Sequence, residues 1–476
     1  MAWGVKEDQI TITVNHLAGN KVKSLFMIPA FVKIDSSNVH RLAEALSTNE
    51  SLLELNLSGH NFGVDGAALI GSAIGNHKNI TTVSIGHDTI GTDLKQFQAL
   101  FKEILERSNS ITSLSLSKKS LNLESMKIIT PLLIGNSTLT QLDLSDNDID
   151  IESLELLGTF LSNPKCNVST LVLSNNKFHD KSQDLSLSDI FIDSLIQCKS
   201  LKKLQLSENY LGDMGAVRLA RFMKLNENTE ELDINDCGIS SKGAMAIGDA
   251  LVSWSGSQLS ISSNPMVGHY LVSNWTQSPT KQSNVQKLHL RGCLIGDDGI
   301  ISLCNNICNG LLPKLQVLDL AHNRITVKSL NMLSNILIQS NNENSYKPTI
   351  ETLDISFNVL GSEGKDTICQ WISTGSIQTL KQFNLNSVKM GFYDIADICK
   401  YLLNNQSSIK HMDIQENTDK PQTDQTHNHS NYNNNNHCND DDDDDNDDDE
   451  EDPRDTEFYE NHQELQDEKE IIFKWR

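Results

Sequence analysis

The sequence lacks the features that mark secreted, membrane-spanning and metal-binding proteins. Its N-terminus has no basic segment followed by an apolar run, and nowhere does it contain about eighteen consecutive apolar residues. Nine cysteines are scattered without a CxxC motif, which argues against a disulfide framework and against a zinc site. These absences predict a protein of the cytoplasm or nucleus that holds no metal and no other cofactor.

Positive charge is also scarce. The 476-residue chain has 39 Lys and Arg against 63 Asp and Glu, which gives a formal net charge of −24. Residues 418–476 carry 21 acidic and 5 basic side chains, whereas residues 1–417 carry 42 and 34. Because nucleic acids and anionic membranes both require a basic footprint on the protein, the charge balance predicts neither as a partner.

The common catalytic motifs are missing as well. No P-loop, dinucleotide-binding, nucleophile-elbow or zinc-protease motif occurs in a context that would make it work. Serine is abundant, but most serines follow the second leucine of a short alternating run and have no base beside them. The sequence therefore predicts no catalytic residues and a protein that is not an enzyme.

The sequence does contain one pattern, LxxLxLxxN, which recurs along most of its length. Its clearest copy runs Leu201-Lys-Lys-Leu204-Gln-Leu206-Ser-Glu-Asn209. A recurrence at 27 to 35 residues indicates a repeat array, which we place at residues 22–417. The fourteen copies begin at Val22, Leu52, Ile80, Ile111, Leu139, Val168, Leu201, Thr229, Gly256, Val285, Leu315, Ile350, Leu380 and Ile409.

Each copy switches from strand spacing to helix spacing. The alternation of Leu204 and Leu206 predicts a short strand with one buried face, and Leu219, Phe222 and Met223 then share one side of a helix. One strand and one helix cannot bury their own apolar faces, whereas stacked copies join the strands into a parallel sheet beneath an outer layer of helices. The predicted fold is a right-handed α/β solenoid, curved into a horseshoe.

This repeat resembles the ribonuclease-inhibitor type of leucine-rich repeat. The resemblance rests on the length of the unit, on Asn or Cys at its ninth position and on a helix in its second half. It implies a concave parallel sheet, convex helices and a scaffold that binds proteins, since members of this class bind nucleases, GTPases, actin regulators and immune ligands.

Asparagine at the ninth position is predicted to be structural. There a buried amide can satisfy backbone groups where the chain leaves the strand, and a small Cys, as at Cys237 and Cys293, can fill the same turn. The predicted asparagine ladder consists of Asn147, Asn176, Asn209, Asn264, Asn323 and Asn358, with Asn417 in the last copy.

The two ends differ from the repeats. Residues 1–21 contain the alternating run Ile10-Thr-Ile12-Thr-Val14, which predicts a strand that caps the first repeat. Residues 418–452, rich in Asn, His and Asp, are predicted to be disordered. In residues 453–476, Leu465, Lys469 and Ile472 have helical spacing, which predicts a short amphipathic helix that binds a partner or docks on the last repeat.

Binding residues are sought on the concave face, where the exposed strand positions of successive repeats lie side by side. Asp lies between the two buried strand residues of five copies and predicts a broken acidic stripe: Asp143, Asp233, Asp319, Asp354 and Asp413. His289 and Arg291 in one copy, His322 in the next and Phe357 in the third fall at neighbouring exposed positions. They combine a cation, imidazoles and an aromatic ring, a mixture that resembles a binding hot spot. Each set also has a non-functional interpretation: the first could be a row of solvated aspartates, and the second a chance cluster.

Three functions remain open at this point. The leading one is a scaffold that binds a protein partner on its concave face. A second is regulation of a small GTPase, because a solenoid followed by an acidic tail is similar to the GTPase-activating proteins of Ran, although the loop Ile90-Gly-Thr-Asp-Leu-Lys95 lacks the arginine expected nearby. The third is an actin-regulatory adaptor.

Overall fold

The structure, a computed structural model, describes residues 9–31, 34, 38–180, 185–273, 283–337, 348–415, 417 and 472–474. The chain divides into two compact units. The first comprises residues 1–295 and 309–315, and the second comprises residues 296–308 and 316–476. The predicted disordered segment, residues 418–452, lies outside the described residues.

The first unit contains a parallel sheet whose strands follow one another in chain order. A separate antiparallel pair, β7 (His179–Asp180) with β8 (Leu185–Ser186), lies between the sixth and seventh strands of that sheet in sequence. The strands of the sheet are β1 (Ser24–Phe26), β2 (Glu54–Ser58), β3 (Thr82–Gly86), β4 (Ser113–Ser115), β5 (Gln141–Asp143), β6 (Thr170–Val172), β9 (Lys203–Gln205), β10 (Glu231–Asp233), β11 (Gln258–Ser260) and β12 (Lys287–His289).

A helix precedes the first strand of this unit and further helices follow its strands. They are α1 (Gln9–Ala18), α2 (Val39–Thr48), α3 (Gly63–Gly75), α4 (Leu94–Arg107), α5 (Leu123–Gly135), α6 (Ile151–Leu161), α7 (Asp189–Gln197), α8 (Gly212–Leu225), α9 (Ser241–Leu251) and α10 (Tyr270–Ser273). Consecutive helices pack on one another, so the helices form a layer parallel to the sheet.

The second unit repeats the same arrangement. Its helices are α11 (Gly296–Cys308), α12 (Val327–Leu337), α13 (Gly361–Ser373) and α14 (Phe392–Asn404). Its parallel strands are β13 (Val317–Asp319), β14 (Thr352–Asp354), β15 (Gln382–Asn384), β16 (His411–Asp413) and β17 (Ile472–Lys474).

The core of each unit lies between its sheet and its helices. In the first unit Leu204 and Leu206 of β9 and Leu219 and Phe222 of α8 are fully buried. The register is uniform, since Leu204 pairs with Leu232 of the next strand. Every one of the fourteen predicted copies has its parallel strand at the predicted place, and the predicted leucine-rich-repeat fold class is confirmed.

The predicted N-terminal strand is wrong, because residues 9–18 form helix α1. Ile10, Ile12 and Val14 alternate as in a strand, but Ile10, Val14 and Leu17 have helical spacing, and Ile10 and Leu17 are buried. The neighbouring helix α2 decides between the two. Its Arg41 donates to Oγ1 of Thr11 at 2.6 Å, and the amide of Asn49 just beyond α2 donates to the carbonyl of Leu17 at 2.7 Å.

The predicted C-terminal amphipathic helix is also wrong where the structure describes it. Residues 472–474 form the strand β17, which pairs with β16 in the register His411 with Ile472 and Asp413 with Lys474. The backbone of an edge strand offers unpaired N–H and C=O groups, which favour a further strand over a helix at this place. Residues 453–471 lie outside the described part of the chain.

Candidate functional site

The asparagines at the ninth position connect successive repeats through their side chains. Nδ2 of Asn209 donates to the carbonyls of Leu206 in its own repeat, at 2.7 Å, and of Leu173 in the preceding repeat, at 3.0 Å. In the second unit, Oδ1 of Asn358 accepts the backbone N–H groups of Asn323 and Ile325, both at 2.9 Å. Each amide thus uses both ends to hold buried backbone groups of two repeats.

The same pattern extends to the other members of the predicted ladder. Oδ1 of Asn264 accepts from Cys237 and Ile239, at 3.0 and 3.1 Å, and the Cys237 thiol donates to the carbonyl of Leu206 at 3.3 Å. Further side-chain bonds to backbone involve Asn147, Asn176, Asn323, Asn417 and Cys293. These contacts engage backbone atoms and leave no part of the ladder directed at a ligand.

A second row of side chains, which the sequence did not reveal, lies at the ends of the helices in the first unit. Each member stands three residues before the start of a copy. Its side chain accepts the backbone N–H groups of the residues two and three positions further on. Oδ1 of Asn136, for example, accepts from Thr138 and Leu139, both at 3.0 Å. We call this set the acceptor row; it includes Asn49, His77, Ser108, Asn136 and Asn226.

The aspartates of the predicted acidic stripe are half-buried and also bond to backbone. Oδ1 of Asp143, Asp319 and Asp354 accepts the N–H two residues further on, at 3.0, 3.0 and 2.9 Å. Asp233 and Asp413 do the same at 3.1 and 3.4 Å. Asn56 of β2 accepts in the same way from Ser58, at 3.0 Å. These side chains therefore stabilise the turn that follows each strand.

The stripe is continuous over only one pair of strands. Asp319 and Asp354 are register partners on β13 and β14 of the second unit. Asn384, which follows Asp354 across the sheet, donates to its Oδ2 at 3.0 Å and separates it from Asp413. In the first unit Asp143 pairs with Val172, and Asp233 lies between Gln205 and Ser260.

The structure brings two of the four predicted patch residues into ring contact. The rings of His322 and Phe357 meet edge to face, with centroids 6.2 Å apart and planes at 79°. His322 is exposed and Phe357 is half-buried. They follow β13 and β14, which also carry Asp319 and Asp354. We call these four residues the β13–β14 patch.

Both rings stand on a left-handed backbone. The residue before the ninth position has a positive φ in eleven copies of the repeat, and φ is 59° at His322 and 57° at Phe357. This conformation is easy for Gly, Asn and Asp and costs other residues about 1 to 2 kcal/mol. At the same position the other nine copies have Gly59, Lys118, Asp146, Asn175, Glu208, Asp236, Ser263, Gly292 and Ser387.

The other two predicted patch residues belong to the first unit. His289 is half-buried on β12, and its carbonyl accepts the N–H of Ile261 at 3.1 Å. Arg291 is exposed, and its backbone N–H donates to Oγ of Ser262 at 3.1 Å. The two residues lie at alternate positions around the end of β12, and their part in binding stays a prediction.

Neither a metal centre nor a membrane span is found in the described ranges. Among these residues, no three His, Cys, Asp or Glu side chains are grouped so that they could share a metal ion. Within the same part of the chain, the helices are too short or too polar to cross a lipid bilayer.

With this geometry in view, comparison with known proteins identifies the repeats as leucine-rich repeats. The leucine-rich-repeat family model matches seven segments, at residues 48–71, 135–158, 197–220, 226–248, 281–304, 312–334 and 346–369. All seven contain a strand of the sheets described above and part of the helix that precedes or follows it. The chain thus contains leucine-rich repeats in these seven segments, and the narrower assignment to the ribonuclease-inhibitor type stays a prediction.

Two curated relatives also carry leucine-rich repeats in their names. NACHT, LRR and PYD domains-containing protein 14 of Mus musculus is 27% identical over 316 residues, which cover 64% of this chain and 26% of the relative. The corresponding protein 5 of Bos taurus is 28% identical over 201 residues, which cover 36% and 18%. The chain spans about a quarter or less of the relatives it matches.

Solved structures with similar folds share little sequence with this chain. The complex of Rad7 and Elc1 from yeast matches at 14% identity and a TM-score of 0.46, over 87% of this chain and 91% of the other. An internalin of Listeria monocytogenes matches at 14% identity and a TM-score of 0.37, over 84% and 88%.

Proposed function

We propose that this protein is a non-catalytic scaffold that binds a protein partner through the open face of its repeats, with the β13–β14 patch as the centre of the interface. The observation that carries the proposal is the edge-to-face contact of the exposed His322 ring with the half-buried Phe357 ring, beside Asp319 and Asp354. Gly292 occupies the equivalent turn one repeat earlier, so the turn itself requires no large side chain.

A ring at this position therefore calls for another explanation. The left-handed turn recurs along the repeats and so belongs to the fold, whereas among the described copies aromatic rings occupy it only at His322 and Phe357. Exposed or half-exposed aromatic rings are also enriched among the residues that dominate the energy of protein interfaces. Two such rings in edge-to-face contact present a small rigid surface, which loses little entropy on binding.

The surroundings of the rings favour a basic or amphipathic segment of the partner. Asp319 and Asp354 face each other across β13 and β14, and one carboxylate oxygen of each is engaged by backbone. Lys or Arg of a partner would meet these carboxylates and the face of Phe357 together, combining ion pairing with a cation–π contact. We include His289 and Arg291, with Asp143 and Asp233, as further binding residues contributed by the first unit.

Two narrower statements belong to the same proposal. The helices that follow the strands, with Asn or Cys at the ninth position, support the ribonuclease-inhibitor type of repeat. Because no contact of the β13–β14 patch is specific for a GTPase or for actin, the proposal is limited to a protein partner. A cytoplasmic or nuclear location accompanies it.

The test is a crosslinking capture with the full chain as bait. We expect the double substitution of His322 and Phe357 by Asn to abolish capture of the partner, since Asn fits the left-handed turn but removes both rings. Ser387→Asn, at the equivalent turn of the next repeat, is the matched control and should capture normally. Equal capture by the double variant and the control would show that the partner does not bind at this patch.

A further inference from the structure

Two histidines in the repeat that begins at Leu52 stand where other repeats have asparagine. His60 is the ninth residue of this copy, the position of the asparagine ladder, and His77 is a member of the acceptor row. Both are buried, with 2% and 5% of the residue exposed. Two structural positions of one repeat are therefore filled by the side chain that gains a charge most readily near neutral pH.

His60 makes the contact of a ladder asparagine with the preceding repeat. Its Nε2 donates to the carbonyl of Met27 at 3.1 Å, as Nδ2 of Asn147 donates to the carbonyl of Leu116 at 2.9 Å. The His60 ring also stacks on Phe62, with centroids 6.3 Å apart. A neutral imidazole with its proton on Nε2 satisfies this contact, whereas a second proton on Nδ1 would add a charge to a buried ring.

His77 holds the first residues of the following repeat through the acceptor nitrogen of its ring. Nδ1 accepts the backbone N–H groups of Asn79 and Ile80, at 3.2 and 3.1 Å, as the amide oxygen of Asn136 does two repeats later. Because Nδ1 needs its lone pair for these bonds, the proton of the neutral ring lies on Nε2, which is buried. A second proton would have to bind Nδ1, where it would point at two N–H groups and break both bonds.

The surroundings keep both rings neutral. Burial lowers the pKa of His60, and the carbonyl of Met27 opposes this effect more weakly. Burial likewise lowers the pKa of His77, against a weaker opposing effect of the carbonyl of Asn49. No charged side chain of the described residues contributes to either shift.

The titratable groups on the neighbouring elements provide no counter-ion for either ring. Beside the turns that follow the strands, where His60 lies, they are His40, Asp65, His87 and Asp88. Beside the turns that precede the strands, where His77 lies, they are Glu44, Glu50, Lys78, Glu103 and Arg107. Glu103 and Arg107 pair with each other at 2.6 Å. In the part of the chain that the structure describes, none of these groups forms an ion pair with His60 or His77.

We propose that the repeat beginning at Leu52 is an acid-sensitive element, in which protonation of His60 and His77 opens the N-terminal repeats of the first unit. Protonation of His77 breaks two bonds to the following copy, and protonation of His60 places a charge at the contact with the preceding one. Asparagine at the same two positions, as at Asn147 and Asn136 in later repeats, makes the equivalent contacts and does not respond to pH.

The direction of the effect follows from the lowered pKa values. The usual pKa of histidine is 6.5, so above this pH the folded and the opened states are both neutral and the repeat has its full stability. Below it the opened state binds protons that the folded state excludes, and stability falls until the pH passes the lowered pKa. A histidine that stays neutral in the folded state raises the opened fraction by up to about tenfold between about pH 7.5 and about pH 5.5.

The test is hydrogen exchange of the full chain at these two pH values, measured by mass spectrometry and corrected for the intrinsic pH dependence of exchange. We expect exchange in β2 and α3 to rise by up to about 100-fold at the lower pH, because two histidines act together. Exchange in α8 and β9, whose repeats have no histidine at these positions, should change far less.

Substitution by the residue of the other repeats tests each histidine. His60→Asn and His77→Asn should each reduce the response of β2 and α3 by up to about tenfold. The response that remains in the double variant comes from His87, whose pKa burial also lowers. His40→Asn is the matched control, because His40 is an exposed histidine of the neighbouring helix α2, and this variant should respond like the wild type.

Two results would overturn the proposal. One is an equal response of α3 and α8 in the wild type, and the other is an unchanged response of α3 in the double variant. The comparison within the wild type needs no substitution, so it decides the question even if a variant fails to fold. Neither result bears on the β13–β14 patch, which is tested by capture of the partner.

Discussion

Oδ1 of Asn209 accepts the backbone N–H of Asn176, 2.7 Å away in the preceding repeat. Nδ2 of Asn209 at the same time donates to three carbonyls, those of Leu173, Leu206 and Ser207. One side chain therefore binds four backbone groups that belong to two repeats. This arrangement makes Asn209 a position where a single substitution tests the coupling of neighbouring repeats.

Asn209→Ala should destabilise the first unit. The substitution leaves buried donors and acceptors without partners, and each such group costs on the order of 1 to 3 kcal/mol. Urea unfolding monitored by circular dichroism measures the change. The neighbouring Glu208→Ala is the control, because Glu208 is exposed. If both variants unfold like the wild type, the amide does not hold the repeats together.

Much of this fold could be predicted from the sequence, because Leu-x-Leu places two large apolar side chains in the core of every copy. The acceptor row could not, since its function needs only an acceptor atom and Asn, His and Ser all supply one. Helix α1 was missed because Ile10, Ile12 and Val14 fit a strand, whereas Ile10, Val14 and Leu17 fit a helix. Strand β17 was missed because its partner, β16, lies far away in the sequence.

The candidate site could only partly be predicted from the sequence, because the repeat pattern gives the positions of residues and not their backbone conformation. The exposed positions of His322 and Phe357 follow from the repeat register, and their proximity follows from strand pairing. Their left-handed backbone does not follow from residue type, because large side chains are rare in that conformation. The structure was needed to show that these rings occupy a turn that glycine fills elsewhere.

Lys119→Asn should stabilise the protein. Lys119 occupies the ninth position of its copy, the position that Asn147 occupies one repeat later. Its side chain is buried, and its ammonium group donates to the carbonyl of Lys118 at 3.4 Å. An Asn at position 119 would donate to the carbonyls equivalent to those that Asn147 binds one repeat later. The substitution would also remove a buried charge. Urea unfolding at neutral pH should show a gain of about 1 kcal/mol.

The stabilisation by Lys119→Asn should depend on pH. Burial is the main cause that lowers the pKa of Lys119 from its usual value of 10.5. Below the lowered pKa the folded state carries the full cost of the buried charge, and this cost disappears as the pH rises towards 10.5. The difference between variant and wild type should therefore shrink in alkaline solution. A difference that is constant with pH would mean that the charge has no part in the effect.

Phe357→Asn should not destabilise the fold, although it removes a large side chain. Asn adopts the left-handed conformation more readily than Phe does, which offsets the lost contacts of the half-buried ring by about 1 kcal/mol. Thermal unfolding compares the variant with Ser387→Asn, made in the same kind of turn. A loss of several kcal/mol in Phe357→Asn alone would show that the ring serves the core rather than a partner.

Deleting residues 472–476 should expose the edge of the second unit. Strand β17 pairs along its whole length with β16, so the deletion removes the backbone partners of His411, Met412 and Asp413. We expect faster hydrogen exchange at the Met412 amide and a lower melting temperature, because an uncovered edge strand loses hydrogen bonds and protection from water. The amide of His411 should change little, since it donates to the carbonyl of Lys381 in the preceding repeat, at 3.1 Å. The matched control deletes residues 440–452, the Asp-rich block, and retains the C-terminal strand. It should leave the exchange of β16 unchanged, since this block lies between β16 and β17 in sequence and the shortened chain still joins them. A synthetic peptide of residues 469–476, added to the protein that lacks residues 472–476, should restore slow exchange at β16. Identical exchange in the two deletion variants would contradict the pairing of β17 with β16.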